Sequence, residues 1–171
     1  MSTRKIVFEK DIPYYDPNKE NLVAQVAVKE LSLQKSFIET KKSKIIVYID
    51  CGGKKNMIQC LQRRGANGVL APWNFDPFVP ENAQRIHVLL KENGLSVQID
   101  GIVVSNGPGD PKYADKTIQT TKKALDLKLP LLGICLGHQL LALAGGGDTK
   151  KLKFGHRSQN QPCSMEGSPR C

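Results

Sequence analysis

Aromatic residues make up only 6% of the 171-residue sequence, acidic residues are outnumbered, and no long apolar run occurs. Each shortage removes a class of protein. No stretch approaches the ~18 consecutive apolar residues of a membrane-spanning helix. The opening MSTRKIVFEKDIPYYD runs into charge too soon to hold the apolar core of a signal peptide. No membrane association is expected, and a cytosolic location follows by default. The five cysteines (51, 60, 135, 163 and 171) are odd in number, never fall as C-x-x-C and have no histidine at metal-ligand spacing, which argues against a disulfide framework or a zinc site. Lys and Arg exceed Asp and Glu by 25 to 16, a formal charge of +9. The basic residues are dispersed, apart from small clusters at Lys41-Lys42-Lys44 and Lys150-Lys151-Lys153, and few aromatics stand among them to stack on bases. A solvated basic face, or a dock for an acidic partner, is expected rather than nucleic-acid binding.

What is present is a chain of one-domain length, able to bury about 70% of its unfolded surface, with 40% hydrophobic residues. Its apolar segments alternate between two periods. Ser43–Asp50 (SKIIVYID) is a near-continuous apolar run of the kind buried on both faces of a parallel sheet, and Cys51-Gly52-Gly53 turns it into a helix over 55–64 with Met57, Ile58 and Leu61 on one face and Gly65 as its stop. The spacing of Gly52 and Gly53 does not make G-x-G-x-x-G, so they read as turn and packing residues. Strands follow at 66–73 and 100–104, with helices at 82–93 (Ile86, Leu89 and Leu90 inward) and about 115–127 (Ile118, Ala124 and Leu125 inward). This alternation predicts an α/β fold built on an open, mainly parallel sheet with helices on both faces. Residues 1–42 carry no strong periodicity, and 22–33 fits either one amphipathic helix or one extended stretch.

The stretch Pro130 to Gly147, PLLGICLGHQLLALAGGG, carries the chemistry. It reads as a short strand over 131–134, a corner at Cys135, and a helix over 136–144 that stops at three glycines. Gly133-Ile134-Cys135-Leu136-Gly137 has the G-x-nucleophile-x-G spacing of an elbow, with cysteine in the usual serine position. A thiol at a helix N-terminus meets unpaired N–H groups and the positive end of the helix dipole, which favour thiolate. The same turn aims the N–H of Leu136 outward, where it would hold a developing oxyanion. Ser105 to Pro111, SNGPGDP, leaves the strand at 100–104 at the sheet's carboxyl edge, where open α/β sheets bind ligands. Glycines around Pro108 give a rigid loop whose N–H groups can face a substrate. His138 shares the helix with Cys135 and points away from the thiol's direction, so it reads as a structural hydrogen-bonder rather than a base.

GICLGHQ together with SNGPGDP resembles the class I, triad-type glutamine amidotransferases, and the runs GICLGHQLLALAGG and KFGHRSQNQP resemble the glutaminase part of carbamoyl-phosphate synthetases. That resemblance implies a flavodoxin-like fold and hydrolysis of L-glutamine to glutamate and ammonia through a thioester on Cys135. It also implies that Gly107 and Gly109 contact glutamine, that the Gly107 N–H joins that of Leu136 in the oxyanion hole, and that the Gln139 side chain holds the bound glutamine. The implied partner is a carbamoyl-phosphate synthetase domain or large subunit serving pyrimidine or arginine synthesis. ATP and magnesium belong to that partner, and no cofactor or metal is expected in this domain. Two departures accompany the resemblance. Residues 75–97 are longer than the family's usual crossing, which suggests either a surface insertion or an imperfect gene model. The family's general-base histidine and its carboxylate follow an N-H-G-F-type run that does not occur before Cys171; His156 and Glu166 do not match them. The expected domains are therefore a linker over 1–42, leading from an absent small-subunit domain, and a partial amidotransferase domain over 43–171, incomplete at the C-terminus. Competing readings are another class I amidotransferase, a catalytically inactive fragment or interaction module, and a redox-sensing thiol protein.

Overall fold

In the computed structural model of the protein, which describes Asp16, residues 19–38 and 43–153, and Gly167, the apolar run Ile45–Asp50 is β2, the middle strand of a five-stranded sheet. The remaining strands are β1 (Ser32–Gln34), β3 (Asn67–Pro72), β4 (Gly101–Val104) and β5 (Leu131–Gly133), in the order β1-β3-β2-β4-β5. β3, β2, β4 and β5 run parallel, and only β1 is antiparallel to its neighbour, at the edge. The sheet is thus open and mainly parallel. The helices are α1 (Leu22–Val26), α2 (Lys55–Arg63), α3 (Pro80–Glu92), α4 (Asp115–Asp126) and α5 (Leu136–Ala144).

Strand pleating sorts the core into two layers. Ile45, Val47 and Ile49 of β2, Val69 and Ala71 of β3, and Ile102 and Val104 of β4 face one side, where Ile86 and Leu90 of α3, Ala124 of α4 and Leu136 and Leu140 of α5 cover them. The alternate residues Tyr48 and Val103 face the other side, against Ile58 with Met57 and Leu61 of α2. Both faces of β2 are therefore dry, which is why its sequence does not alternate with polar residues.

Three expectations need correction. Residues 75–97 are not a surface insertion: Pro80 opens α3 at its first turn, and Phe75, Ile86 and Leu90 are at most 5% exposed. Two parallel strands need a covering crossover, and α3 supplies it between β3 and β4. On α4, Ala124 and half-buried Ile118 face the core as expected, but the other inward residues are Thr117, Thr120 and Thr121, while Leu125 is exposed. These threonines are tolerated inside because Thr117 Oγ1 donates to Trp73 O (2.6 Å) and Thr121 Oγ1 to Thr117 O (2.7 Å). Residues 22–33 are neither one helix nor one strand. Asn21 caps α1 by accepting from Ala24 N (2.9 Å), the chain turns extended at Ala27, and β1 then pairs with β3. Within the segment expected as a linker, Val23 thus lies in the main core and Ser32–Gln34 add a strand to the sheet.

Candidate active site

Cys135 sits between β5 and α5 with φ 55° and ψ −106°, a conformation that L-residues avoid. Its side chain is exposed, whereas Leu136 and Gly137 after it are buried. The two flanking glycines make this possible. A Cβ on Gly133 would collide with Gly137 O and lie 2.6 Å from its carbonyl carbon; a Cβ on Gly137 would collide with Val104 O and lie 2.9 Å from Ser105 O. Strand, helix and the end of β4 are in backbone contact, held by Gly137 N–H donating to Ser105 O (3.1 Å) and Ile134 N–H to Val104 O (3.0 Å). The chain has no room there for anything but a sharp outward corner, and the corner residue is the thiol. α5 stops at Gly145, and Gly146 is left-handed at φ 90°.

The loop after β4 lies against this corner. A Cβ on Gly107 would collide with Cys51 O and approach Leu136 Cδ2 to 2.8 Å, so Gly107 is wedged between the end of β2 and the first residue of α5. Among the described residues no acceptor takes the N–H of Gly107 or of Leu136. Two free donors thus stand in neighbouring segments, as an oxyanion site requires. Gly109 is exposed at φ 83°, two residues further along, against Leu22 of α1.

Two residues that the sequence reading passed over hold this arrangement. Ser105, wholly buried, accepts from Cys51 N (2.8 Å) and donates to Asn106 O (2.8 Å), while Asn106 Oδ1 accepts from Lys54 N (3.2 Å). Asp50, 5% exposed, accepts from Gly53 N (2.7 Å) and Gly52 N (3.2 Å) through Oδ1 and from Val28 N (2.8 Å) through Oδ2. It ties the turn after β2 to the segment after α1, and Gly52, at φ 101°, would bring a Cβ within 2.5 Å of Val26 Cγ2. The signal for Asp50 was an Asp closing an apolar strand and followed by Cys51-Gly52-Gly53, a turn-forming pattern. Ser105 carried no such signal, because its partner is 54 residues away.

The structure separates the thiols. Burial pushes Cys51 up to about 12, with the Thr117 hydroxyl opposing and the Asp50 charge adding to the rise. Burial likewise pushes Tyr48 up to about 12, against a lowering hydrogen bond from Ser105. Cys51 is therefore an inert core thiol and Cys135 an accessible one. Gln139 is exposed on the first turn of α5, its N–H on Cys135 O (3.2 Å). The structure thus brings Cys135, Leu136, Gly107 and Gln139 together at the carboxyl edge of the sheet. His138 is exposed and its imidazole makes no hydrogen bond among the described residues, contrary to the structural role expected for it. No described side chain hydrogen-bonds Cys135 Sγ. His156 and Glu166 lie outside the described residues. No described helix is long and apolar enough to cross a membrane.

Comparison with known proteins agrees with this geometry. The family model described as glutamine amidotransferase class-I matches residues 47–171. Over 165 residues the chain is 42% identical to the multifunctional protein CAD of Squalus acanthias, covering 95% of this chain and 6% of that protein. It is 41% identical over 155 residues to the carbamoyl phosphate synthase arginine-specific small chain of Saccharomyces cerevisiae, covering 88% of this chain and 34% of the relative. Against the carbamoyl phosphate synthase small chain of Methanopyrus kandleri the identity is 41% over 153 residues, covering 90% and 36% respectively. The chain thus spans at most about a third of the length of these relatives.

Proposed function

From a chain that belongs to the class I glutamine amidotransferase family, we propose the thiol half of a glutaminase: glutamine is hydrolysed to glutamate and ammonia through a Cys135 thioester. The ammonia passes to an ATP-dependent synthetase domain or subunit that makes carbamoyl phosphate for pyrimidine or arginine synthesis. The observation that carries this reading is the strained, exposed Cys135 beside the free N–H groups of Gly107 and Leu136.

The Cys135 sulfur attacks the side-chain amide carbon of glutamine, and the carbonyl oxygen takes up negative charge between the Gly107 and Leu136 N–H groups. Collapse of that intermediate breaks the C–N bond and expels ammonia, leaving the thioester, which water then cleaves to glutamate. Gln139, one turn into α5, and Gly109, at the loop's outer end, hold the substrate's remaining polar groups. Protonation of the leaving ammonia and activation of water fall to a histidine oriented by a carboxylate, which the described residues do not bring to the thiol. The chemistry needs no metal or cofactor in this domain; ATP and magnesium serve the synthetase. Relatives named as small chains and as multifunctional proteins fit a synthetase that is either a separate subunit or part of the same polypeptide.

A second reading is a non-catalytic member of the family used for docking. Intact-mass measurement after incubation with an electrophilic glutamine analogue separates the two. The glutaminase reading expects one adduct, suppressed by glutamine and lost in Cys135→Ala. A folded chain that gains no adduct, or gains one that glutamine does not suppress, supports the docking reading.

A further inference from the structure

The sequence contains three Asn-Gly pairs, at 67–68, 93–94 and 106–107. This dipeptide is open to a self-reaction in which the glycine nitrogen attacks the asparagine side-chain amide. The fold treats the three pairs differently. Asn67 is 4% exposed, its Oδ1 accepts from Ser36 N (2.9 Å), and Gly68 lies inside the sheet with Ile46 of β2 on one side and Gln34 of β1 on the other. Asn93 is half-buried, but its Nδ2 donates to Leu89 O (2.9 Å) and the Gly94 N–H donates to Lys91 O (3.0 Å). Both the leaving group and the nucleophile are occupied there. Asn106 is equally half-buried, and the pattern is reversed. The Gly107 N–H has no acceptor among the described residues, and Asn106 accepts through Oδ1 from Lys54 N (3.2 Å), while no described acceptor holds its Nδ2. The nucleophile is free, the carbonyl is polarised by a fixed donor, and the departing nitrogen is unheld.

The geometry points to Asn106-Gly107 as a self-modifying site in the folded protein, an intrinsic clock within the oxyanion loop. The Gly107 nitrogen gives its proton to base and bonds to Asn106 Cγ; the Cγ–Nδ2 bond breaks and Nδ2 leaves as ammonia. Water then opens the five-membered imide at either carbonyl. The net change is one water consumed and one ammonia released, converting the side-chain amide to a carboxylate in aspartate or isoaspartate linkage. No oxidant, enzyme or metal enters the balance. A free backbone N–H on a glycine is what an oxyanion donor requires, and here it is also what the side reaction requires. The functional consequence rests on the glutaminase reading: a new negative charge beside Gly107, and in the isoaspartate an extra backbone carbon, both oppose stabilisation of an oxyanion there.

The test is to hold the folded 171-residue chain at mildly alkaline pH, withdraw samples over days, and quantify each Asn-Gly peptide for the mass gain of amide-to-acid conversion. A portion unfolded in urea reports the three intrinsic rates. In the folded chain Asn106 should convert roughly tenfold faster than Asn93, the ratio expected when a hydrogen bond or two must open first at Asn93, and Asn67 slowest of all. Asn106→Gln, which would need a larger ring, should remove the early conversion. Asn93 or Asn67 converting first, or Asn106 staying intact while the unfolded control converts, overturns the proposal. Labelling of Cys135 by the glutamine analogue is followed in the same samples. Conversion without loss of labelling leaves the modification standing and removes Gly107 from the oxyanion site; steady labelling with an intact Asn106 does the reverse.

Discussion

Replacing Cys135 by glycine should make the protein more stable while removing its chemistry. Cys135 is held at φ 55°, ψ −106°, where a Cβ is disfavoured. Such a residue costs on the order of 1–3 kcal/mol, and glycine removes that cost. Little is lost in exchange: the side chain is exposed, and it makes no capping hydrogen bond to α5. Glycine adds freedom to the unfolded chain, an opposing effect of about 0.4–1 kcal/mol. The net gain is about 1–2 kcal/mol. At a urea slope of about 2 kcal/mol per molar, the unfolding midpoint rises by about 0.5–1 M. Cys135→Ala is the essential comparison, since it also lacks the thiol but keeps the strained Cβ, so its midpoint should stay near that of the parent. Equilibrium urea unfolding followed by circular dichroism reads the difference. If the glycine variant is no more stable than the alanine variant, the corner is not strained and the argument for a forced elbow fails. Both variants should be inert toward the glutamine analogue.

Gly137→Ala should act in the opposite direction. A Cβ there meets the backbone of Val104 and Ser105 rather than a flexible side chain, so helix and strand must part; overpacking of this kind costs about 1–3 kcal/mol. The helix preference for alanine returns at most about 1 kcal/mol. A lower urea midpoint with slower Cys135 labelling is expected, and an unchanged midpoint would show that α5 is free to shift. A neutral thiol reagent at mildly alkaline pH should modify Cys135 in the native chain and reach Cys51, buried and raised to about 12, only on unfolding; peptide mapping that finds Cys51 labelled first contradicts the assignment. For Asp100, burial raises its pKa, but the Lys44 ammonium and the Ile45 N–H outweigh that and hold it below the ordinary carboxylate value. A folded-state value below the unfolded one, about 3.9, means a contribution present above that pH and lost as pH falls through the folded value. Lys44 is 68% exposed, so its share is at most about 1 kcal/mol. The stability gap between the parent and Lys44→Met should be small near neutrality and close below about pH 4; a gap that widens in acid would refute the sign.

The elements best legible in sequence were those whose reasons are local. The run IIVYID at Ile45–Asp50 announced a doubly buried strand through its own composition, and Gly133, Cys135 and Gly137 announced an elbow through their spacing, with α5 spanning the expected residues 136–144. Elements whose reasons are distant were read poorly. Residues 22–33 split into α1 and β1 because Asp50 and β3 receive them, and no local period encodes that. For residues 75–97 the helix and its inward Ile86, Leu89 and Leu90 were legible from their spacing, but its place as the crossover of β3 and β4 was not, because the strands it bridges are set by the sheet.

By itself the sequence determined the thiol corner and the class of fold, because a glycine-flanked cysteine and alternating strand and helix periods are properties of contiguous residues. Only the tertiary structure decided what stands beside that corner. Gly107 reaches Leu136 because β4 lies between β2 and β5, so the loops at their carboxyl ends become neighbours. Ser105 and Asp50 hold those loops through hydrogen bonds spanning 54 and 22 residues. Folding also set the Asn106 amide, which accepts from the N–H of Lys54, apart from Asn67, which accepts from the N–H of Ser36 inside the sheet. Such contacts exist only once the chain has closed on itself, and the entropy of that closure is offset by the whole core rather than by any segment in which the contacts could be read.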